Sequence, residues 1–148
     1  MLHLELFNHC QNELANKLEL LEFRKRELHQ ALSSEHKSSA GDKHETGRAM
    51  IQLDREKLGE QIKKTEKQQQ VLFSLQKTER PSSISLGSVV ITNQANYYIS
   101  VAVGSCIIAS KTYYCISAQS PVGSLLLGKK VGDSIQFNKQ LISIKKII

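Results

Sequence analysis

The hydrophobic period of this chain changes at Pro81, and this change limits the fold more than any other feature of the sequence. On the N-terminal side, apolar residues recur every three or four positions, which is typical of amphipathic helices. On the C-terminal side, β-branched and aromatic runs alternate with turn residues, which is typical of short strands. Proline also disfavours helix at the residue before it. We therefore predict an α+β chain with a helical part at 1–78, a linker at 79–84 and a β domain at 85–148.

The helical part is predicted to form two long helices joined by a loop. The apolar stripe of the first helix consists of Leu4, Phe7, Leu14, Leu18, Leu21, Leu28 and Leu32. The stripe of the second helix, expected from about Asp42 to Lys77, consists of Ile51, Leu58, Ile62, Thr65, Leu72 and Leu75. Between them, residues 33–42 are rich in serine, which indicates a loop. The stripes can bury each other in an antiparallel coiled-coil hairpin with its tip loop near 33–45, or they can pair with a second chain.

The β domain is predicted to be a small antiparallel sheet with one short helix laid on it. The expected strands are 89–92, 97–103, 105–109, 113–117, 134–138 and 141–148. The helix is indicated by Ser120 as N-cap, Pro121 at its first position and Gly128 as its stop.

Charge and cysteine usage restrict the class of protein. Residues 85–148 hold six lysines and one acidic residue, Asp133. Such a basic surface suits an acidic partner such as nucleic acid or an acidic protein face, although it can also serve solubility alone. Three cysteines without framework spacing, no membrane-spanning run and no signal peptide predict a cytoplasmic protein with free thiols and no membrane partner.

One segment carries a family likeness. Residues 116–137, "ISAQSPVGSLLLGKKVGDSIQF", resemble the C-terminal signature of the bacterial Gre transcription elongation factors, and the order of helical hairpin and β domain is similar too. The matching positions are Ser120, Pro121, Gly123, Leu127, Gly128, Gly132 and Asp133. The resemblance implies an FKBP-like C-terminal domain that docks on bacterial RNA polymerase, and a monomer whose coiled coil enters the secondary channel. The docking residues it suggests are Ser120, Pro121, Val122 and Gly123.

The resemblance also points to the segment "AGDKHETGRA" at residues 40–49, where Asp42 and Glu45 fall on the two acidic positions of the family's tip. It implies that these acids help to hold Mg²⁺ shared with the polymerase active site while the 3′ end of backtracked RNA is cleaved. The chain would then stimulate the polymerase's own nuclease and would not be an enzyme by itself. From the residues alone, Asp-x-x-Glu at a helix start is also a capping box, and the two roles are compatible.

Basic residues surround these acids. Lys37, Lys43 and Arg48 can contact RNA phosphates, or they can be ordinary solvated charges. Thr46, Arg48 and Ala49 depart from the family's pattern, so a Gre-like inhibitor of the polymerase without cleavage activity is an alternative. The second class of function is a prolyl isomerase, which an FKBP-like domain suggests. Such an enzyme needs an aromatic-lined pocket. A coiled-coil scaffold or adaptor is the third class.

Overall fold

The computed structural model describes residues 2–37, 42–75 and 81–148, and it describes the side chains of all of these except 35–37 and 42–45. The predicted tip loop and the predicted linker therefore lie partly outside the described residues. The chain is α+β, with two long helices followed by a six-stranded sheet and a short helix.

The two long helices are α1 (Leu2–Lys37) and α2 (Asp42–Ser74). The start of α2 agrees with the prediction, but the predicted loop at 33–42 is wrong in its first half, because α1 continues through Ser33 and Ser34 to Lys37. The physical reason is that serine is only a mild helix disfavourer, and an existing helix gains one hydrogen bond for each added residue. The sequence has no glycine or proline before Gly41.

The chain divides into two compact units, and the first of these is helical. This helical unit, Leu14–Gln68, is a hairpin made from the C-terminal part of α1 and the N-terminal part of α2. Its core is the cluster of Leu21, Leu58 and Ile62, with Leu18 and Leu28 packed against it. All five were predicted stripe residues, so the two stripes do bury each other. Thr65, another predicted stripe residue, is buried and donates its hydroxyl hydrogen to the Gln61 carbonyl oxygen at 2.9 Å.

The second unit, which we call the β unit, combines Met1–Glu13 with Gln69–Ile148. Its strands are β1 (Val89–Thr92), β2 (Asn96–Ser100), β3 (Gly104–Ile108), β4 (Lys111–Ser117), β5 (Ser134–Phe137) and β6 (Gln140–Ile147). The short helix α3 (Pro121–Leu126) lies between β4 and β5. The strand order is β3-β4-β2-β1-β6-β5. Neighbours are antiparallel except β2 and β4, which are parallel, so the prediction of a wholly antiparallel sheet is wrong for this pair.

Both faces of the sheet carry packed side chains within the β unit. One face carries the main core, which consists of Ile84, Val90, Ile99, Leu126, Ile135, Ile142 and Ile144. Leu126 brings α3 onto this face. The opposite face receives the start of α1, because the His3 ring meets the Tyr98 ring edge-on and the Cys10 sulfur lies 3.8 Å from the Ser100 hydroxyl.

Packing on the sheet also changes which side of α1 is buried near its start. Leu6 and Cys10 are fully buried there, whereas Leu4, a predicted stripe residue, is 59% exposed. The stripe prediction is therefore wrong for Leu4. It assumed that all of α1 packs on another helix, and the first turns pack on strands instead.

Among the described residues, no helix combines the length and the apolar character that crossing a membrane would require.

Candidate functional site

The predicted catalytic tip coincides with the start of α2. The helix begins at Asp42, and Glu45 follows within its first turn. The side chains of both acids, and those of Lys37 and Lys43, lie outside the described residues. Their predicted roles in metal binding, capping and RNA contact therefore stay predictions. Of the predicted RNA contacts, only Arg48 has a described side chain, which is half-buried on α2.

The part of the chain with described side chains contains no group of three or more histidine, cysteine, aspartate or glutamate residues that could hold a metal ion. Since Asp42 and Glu45 are outside that part, the search does not include the predicted ligands. Two carboxylates from one helix turn suit Mg²⁺, which usually takes one or two protein carboxylates and completes its shell with water and substrate phosphate.

The predicted docking residues form the SPVG segment (residues 120–123), whose geometry is set by a helix cap. Ser120 is the N-cap of α3, and its hydroxyl oxygen accepts a hydrogen bond from the Gly123 N–H at 3.0 Å. The same hydroxyl donates to the Ser117 carbonyl oxygen at 2.7 Å. Pro121 occupies the first turn, where its missing N–H would have no helical partner. The prediction of this cap and helix from sequence is confirmed.

Gly123 is required by close approach of two backbone segments. A Cβ atom at this position would lie 2.2 Å from the Ser117 carbonyl oxygen and 2.8 Å from the Ser120 hydroxyl oxygen. Val122 is half-buried against the main core, while Pro121 is exposed. Within the SPVG segment, therefore, Ser120, Val122 and Gly123 maintain the conformation, and Pro121 is the residue that a partner can reach.

The GKKVGD turn (residues 128–133) continues this rigid arrangement. Gly128 has a φ of 79°, in the left-handed region that favours glycine, and its N–H donates to the Ile84 carbonyl oxygen at 2.8 Å. Ile84 in return donates to the Lys129 carbonyl oxygen at 2.8 Å. Asp133 closes the turn, because its carboxylate accepts from the Lys130 N–H at 2.8 Å. The single acid of the β domain thus organises a backbone turn beside two lysines.

Sequence reasoning did not single out the exposed apolar residues that follow Pro121 in the chain. Leu125, Leu127 and Val131 are all more than one-third exposed. Of the three consecutive leucines, Leu126 is the one turned towards the sheet, while Leu125 precedes it on α3 and Leu127 is the C-cap residue. The short distance between Pro121 and Gly128 in the sequence could have indicated that most of these leucines are exposed. The result is an exposed surface of proline and apolar side chains beside Lys129 and Lys130, which suits binding more than chemistry.

The aromatic residues of the β unit are divided between the two faces of the sheet. Tyr97 and Tyr98 are neighbours on β2, so they point to opposite faces of the sheet. Tyr98 packs against His3, whereas Tyr97 lies beside Tyr114 with ring centroids 6.2 Å apart. Burial raises the pKa of both phenols above the usual value. Rings divided between two faces do not favour the aromatic-lined pocket of a prolyl isomerase.

Comparison of the sequence with protein-family models and with curated proteins found no match. The likeness to Gre factors therefore rests on the residues quoted above and on the order of the structural elements. It stays a prediction about this chain.

Proposed function

We propose that this chain is a Gre-type regulator of bacterial RNA polymerase, with an antiparallel coiled coil that enters the secondary channel and an FKBP-like domain that docks outside it. The observation that carries the proposal is the SPVG segment: a capped, proline-initiated turn with an obligatory glycine, in a β domain that follows a long helical hairpin. The motif and the order of elements are both those of the family that the sequence resembles.

The proposed action of the tip depends on Asp42 and Glu45. Residues three apart on a helix lie on the same side of it, so the two carboxylates can share one ligand. The start of a helix also favours the charged form of an acid. When bound, Mg²⁺ would activate water and stabilise the charge that develops during phosphodiester hydrolysis. The chain supplies only oxygen ligands, while the polymerase supplies the RNA and its position, so we propose stimulation in trans.

The proposed docking surface is Pro121 with the exposed side chains of Leu125, Leu127 and Val131. It combines apolar area with the positive charges of Lys129 and Lys130. A partner with an apolar surface rimmed by acidic side chains would be complementary to it, because such charges increase the rate and specificity of association.

The test uses a purified elongation complex stalled in a backtracked state. We expect the wild-type protein to shorten the RNA in the presence of Mg²⁺. We expect Asp42→Ala/Glu45→Ala to lower the cleavage rate by at least about tenfold, the usual minimum when groups that support a metal are removed. Polymerase affinity should change by less than about threefold, because the proposed docking surface lies in the β unit and keeps all its side chains in this variant.

The matched control is Asp54→Ala/Glu60→Ala, which removes two exposed acids from α2 outside its first turn. It should retain cleavage. Full cleavage by the Asp42/Glu45 variant would refute the tip assignment. Slower RNA extension without shortening would favour the Gre-like inhibitor, an outcome consistent with Thr46, Arg48 and Ala49 at the positions where the tip departs from the family. A protein that does not bind the polymerase would refute the whole proposal and leave a coiled-coil adaptor as the remaining class.

A further inference from the structure

All three cysteines of the chain come together on one face of the sheet in the β unit. Cys106 on β3 lies opposite Tyr113 of β4, and Gly104 lies opposite Cys115. Residues directly opposite in an antiparallel pair share a face, so Cys106 and Cys115 point to the same side. That side is the one covered by the start of α1, which carries Cys10. Three thiols that are distant in sequence thus belong to one local environment, and all three are free.

Cys10 packs on the strand next to the one that carries Cys115. Its sulfur is 3.8 Å from the Ser100 hydroxyl on β2, and Cys115 on β4 lies beside Tyr98 of β2. A hydrogen bond from the Cys115 thiol lowers the pKa of Cys10, against the opposing effects of burial and of Glu13. The same hydrogen bond, together with burial, raises the pKa of Cys115. The side chains are 0% and 2% exposed, and Ser100 also lies at the Cys10 sulfur. The opposite directions of the two pKa shifts favour Cys10 as the first of the two thiols to lose its proton.

We propose that Cys10 and Cys115 are an oxidation site, at which hydrogen peroxide converts the two thiols into an intramolecular disulfide that joins α1 to β4. The Cys10 thiolate attacks one peroxide oxygen, the O–O bond breaks, and the leaving oxygen takes up a proton as water. The Cys115 sulfur then attacks the sulfenic acid of Cys10, forms the S–S bond and displaces a second water. Two thiols lose two electrons in total, and one peroxide is reduced to two water molecules.

Strand geometry disfavours a disulfide between Cys106 and Cys115. Cys106 and Cys115 are diagonal neighbours on adjacent strands, about 7 to 8 Å apart. A disulfide requires Cβ atoms about 3.5 to 4.5 Å apart, so these two strands would have to shift. Cys10 is carried by a helix that packs on the neighbouring strand, with its sulfur 3.8 Å from the Ser100 hydroxyl, and the hydrogen bond with Cys115 that lowers its pKa agrees with this placement.

The disulfide would constrain the β unit strongly, because it would close a loop of about a hundred residues, and longer loops lose more unfolded-state entropy. Since both sulfurs are buried, peroxide reaches them when the start of α1 opens locally, and formation of the bond should be slower than reaction of the half-buried Cys106. Once formed, the disulfide would prevent the start of α1 from opening until a reductant breaks the S–S bond.

The experiment treats the purified full-length wild-type protein with hydrogen peroxide, blocks remaining thiols and maps the tryptic peptides under non-reducing conditions. We expect a peptide pair linked through Cys10 and Cys115, with Cys106 outside the linkage. We also expect the melting temperature of the oxidised protein to rise by roughly 5 °C or more, and to return after dithiothreitol, as a long-loop disulfide implies.

Two variants complete the test. Cys106→Ser should form the same linked pair, and Cys115→Ser should lose it. If Cys115→Ser does not fold, the peptide map of the oxidised wild type alone shows which cysteines are linked and decides the proposal. A linkage through Cys106, a linkage between two chains, or an unlinked Cys10 and Cys115 after complete oxidation of Cys106 would each overturn the proposal.

Discussion

The helical unit and the β unit reach stability in different ways. In the helical unit the buried apolar side chains form a single stripe, and Leu58 and Ile62 in its centre remain 9% and 8% exposed. In the β unit the sheet has packing on both faces, and the residues of its main core are almost fully buried. One unit has a narrow core along two helices, whereas the other has a closed core between layers.

The difference follows from where the backbone hydrogen bonds of each unit are made. A helix makes its hydrogen bonds within itself, so two long helices need only one shared apolar stripe. A strand makes its hydrogen bonds with neighbours, so the sheet exists only when all its strands have assembled. The predicted tip acids are on the lightly packed unit, and the SPVG segment is on the densely packed one. We therefore expect the two units to respond differently to substitution.

The largest expected effect separates the two cores. Ile144→Ala in the main core of the β unit should lower the free energy of unfolding by about 3 to 4 kcal/mol, and Leu58→Ala in the helical unit by about 2 kcal/mol, because the more buried residue leaves the larger cavity. Urea unfolding followed by two probes measures this. Tyrosine fluorescence reports on the β unit, since all four tyrosines lie at 97–114, and far-UV circular dichroism reports mainly on the helices.

Equal losses in the two variants, with both probes shifting together, would break the comparison and show one cooperative structure. If Ile144→Ala shifts only the fluorescence transition and Leu58→Ala shifts only the dichroism transition, the two units unfold separately, and the comparison between them is strengthened.

Two glycines provide a second contrast. Gly123→Ala should destabilise the β unit by about 2 to 3 kcal/mol, because its Cβ would overlap the Ser117 carbonyl oxygen. Gly59→Ala on α2 meets nothing within 4 Å and should stabilise the helical unit by about 0.5 to 1 kcal/mol, since alanine favours helix. Thermal unfolding of both variants measures the two signs. A neutral Gly123→Ala would mean that the turn before α3 can relax, and the rigidity assigned to the SPVG segment would be wrong.

The smallest effect concerns alkaline pH and should appear in the β unit alone. Burial raises the pKa of Tyr98, and Cys10 and Cys115 act in the same direction. The folded state thus keeps the neutral phenol after the unfolded chain has ionised at about pH 10, so this contribution to stability is complete below that pH. It falls by at most about 1.4 kcal/mol per unit as the pH rises further.

Tyr98→Phe removes the ionisable group and should make the fall above pH 10 less steep. Urea midpoints of the wild type and the variant at several pH values measure the difference. Parallel curves would show that Tyr98 is not held neutral by burial.

Some elements were predictable because their signals are local. β1 was predicted with its observed bounds, and the cap formed by Ser120 and Pro121 was read correctly from adjacent residues. The turn between β3 and β4 was not predicted as such. Ala109 and Ser110 both adopt positive φ there, which short loops usually assign to glycine or asparagine. Pairing of the two strands imposes positive φ on Ala109 and Ser110, whose residue types do not predict it.

The candidate site shows the same division. Asp42 and Glu45 were named from their spacing and from the resemblance. The start of the helix at Asp42 was predicted correctly, while the role of the two acids stays a prediction. The pairing of Cys10 with Cys115 had no signal in the sequence, because a separation of this length carries no periodicity. Exposure of Leu125 and Leu127 could have been anticipated from the shortness of α3.

The sequence by itself determined where helix gives way to strand, because the spacing of apolar residues and the turn residues act over a few positions. Only the tertiary structure decided that β2 and β4 run parallel, that α1 turns Leu6 and Cys10 instead of Leu4 towards the sheet, and that the three cysteines share one face of it. These features depend on which faces come together, and that choice is made by burial over the whole unit.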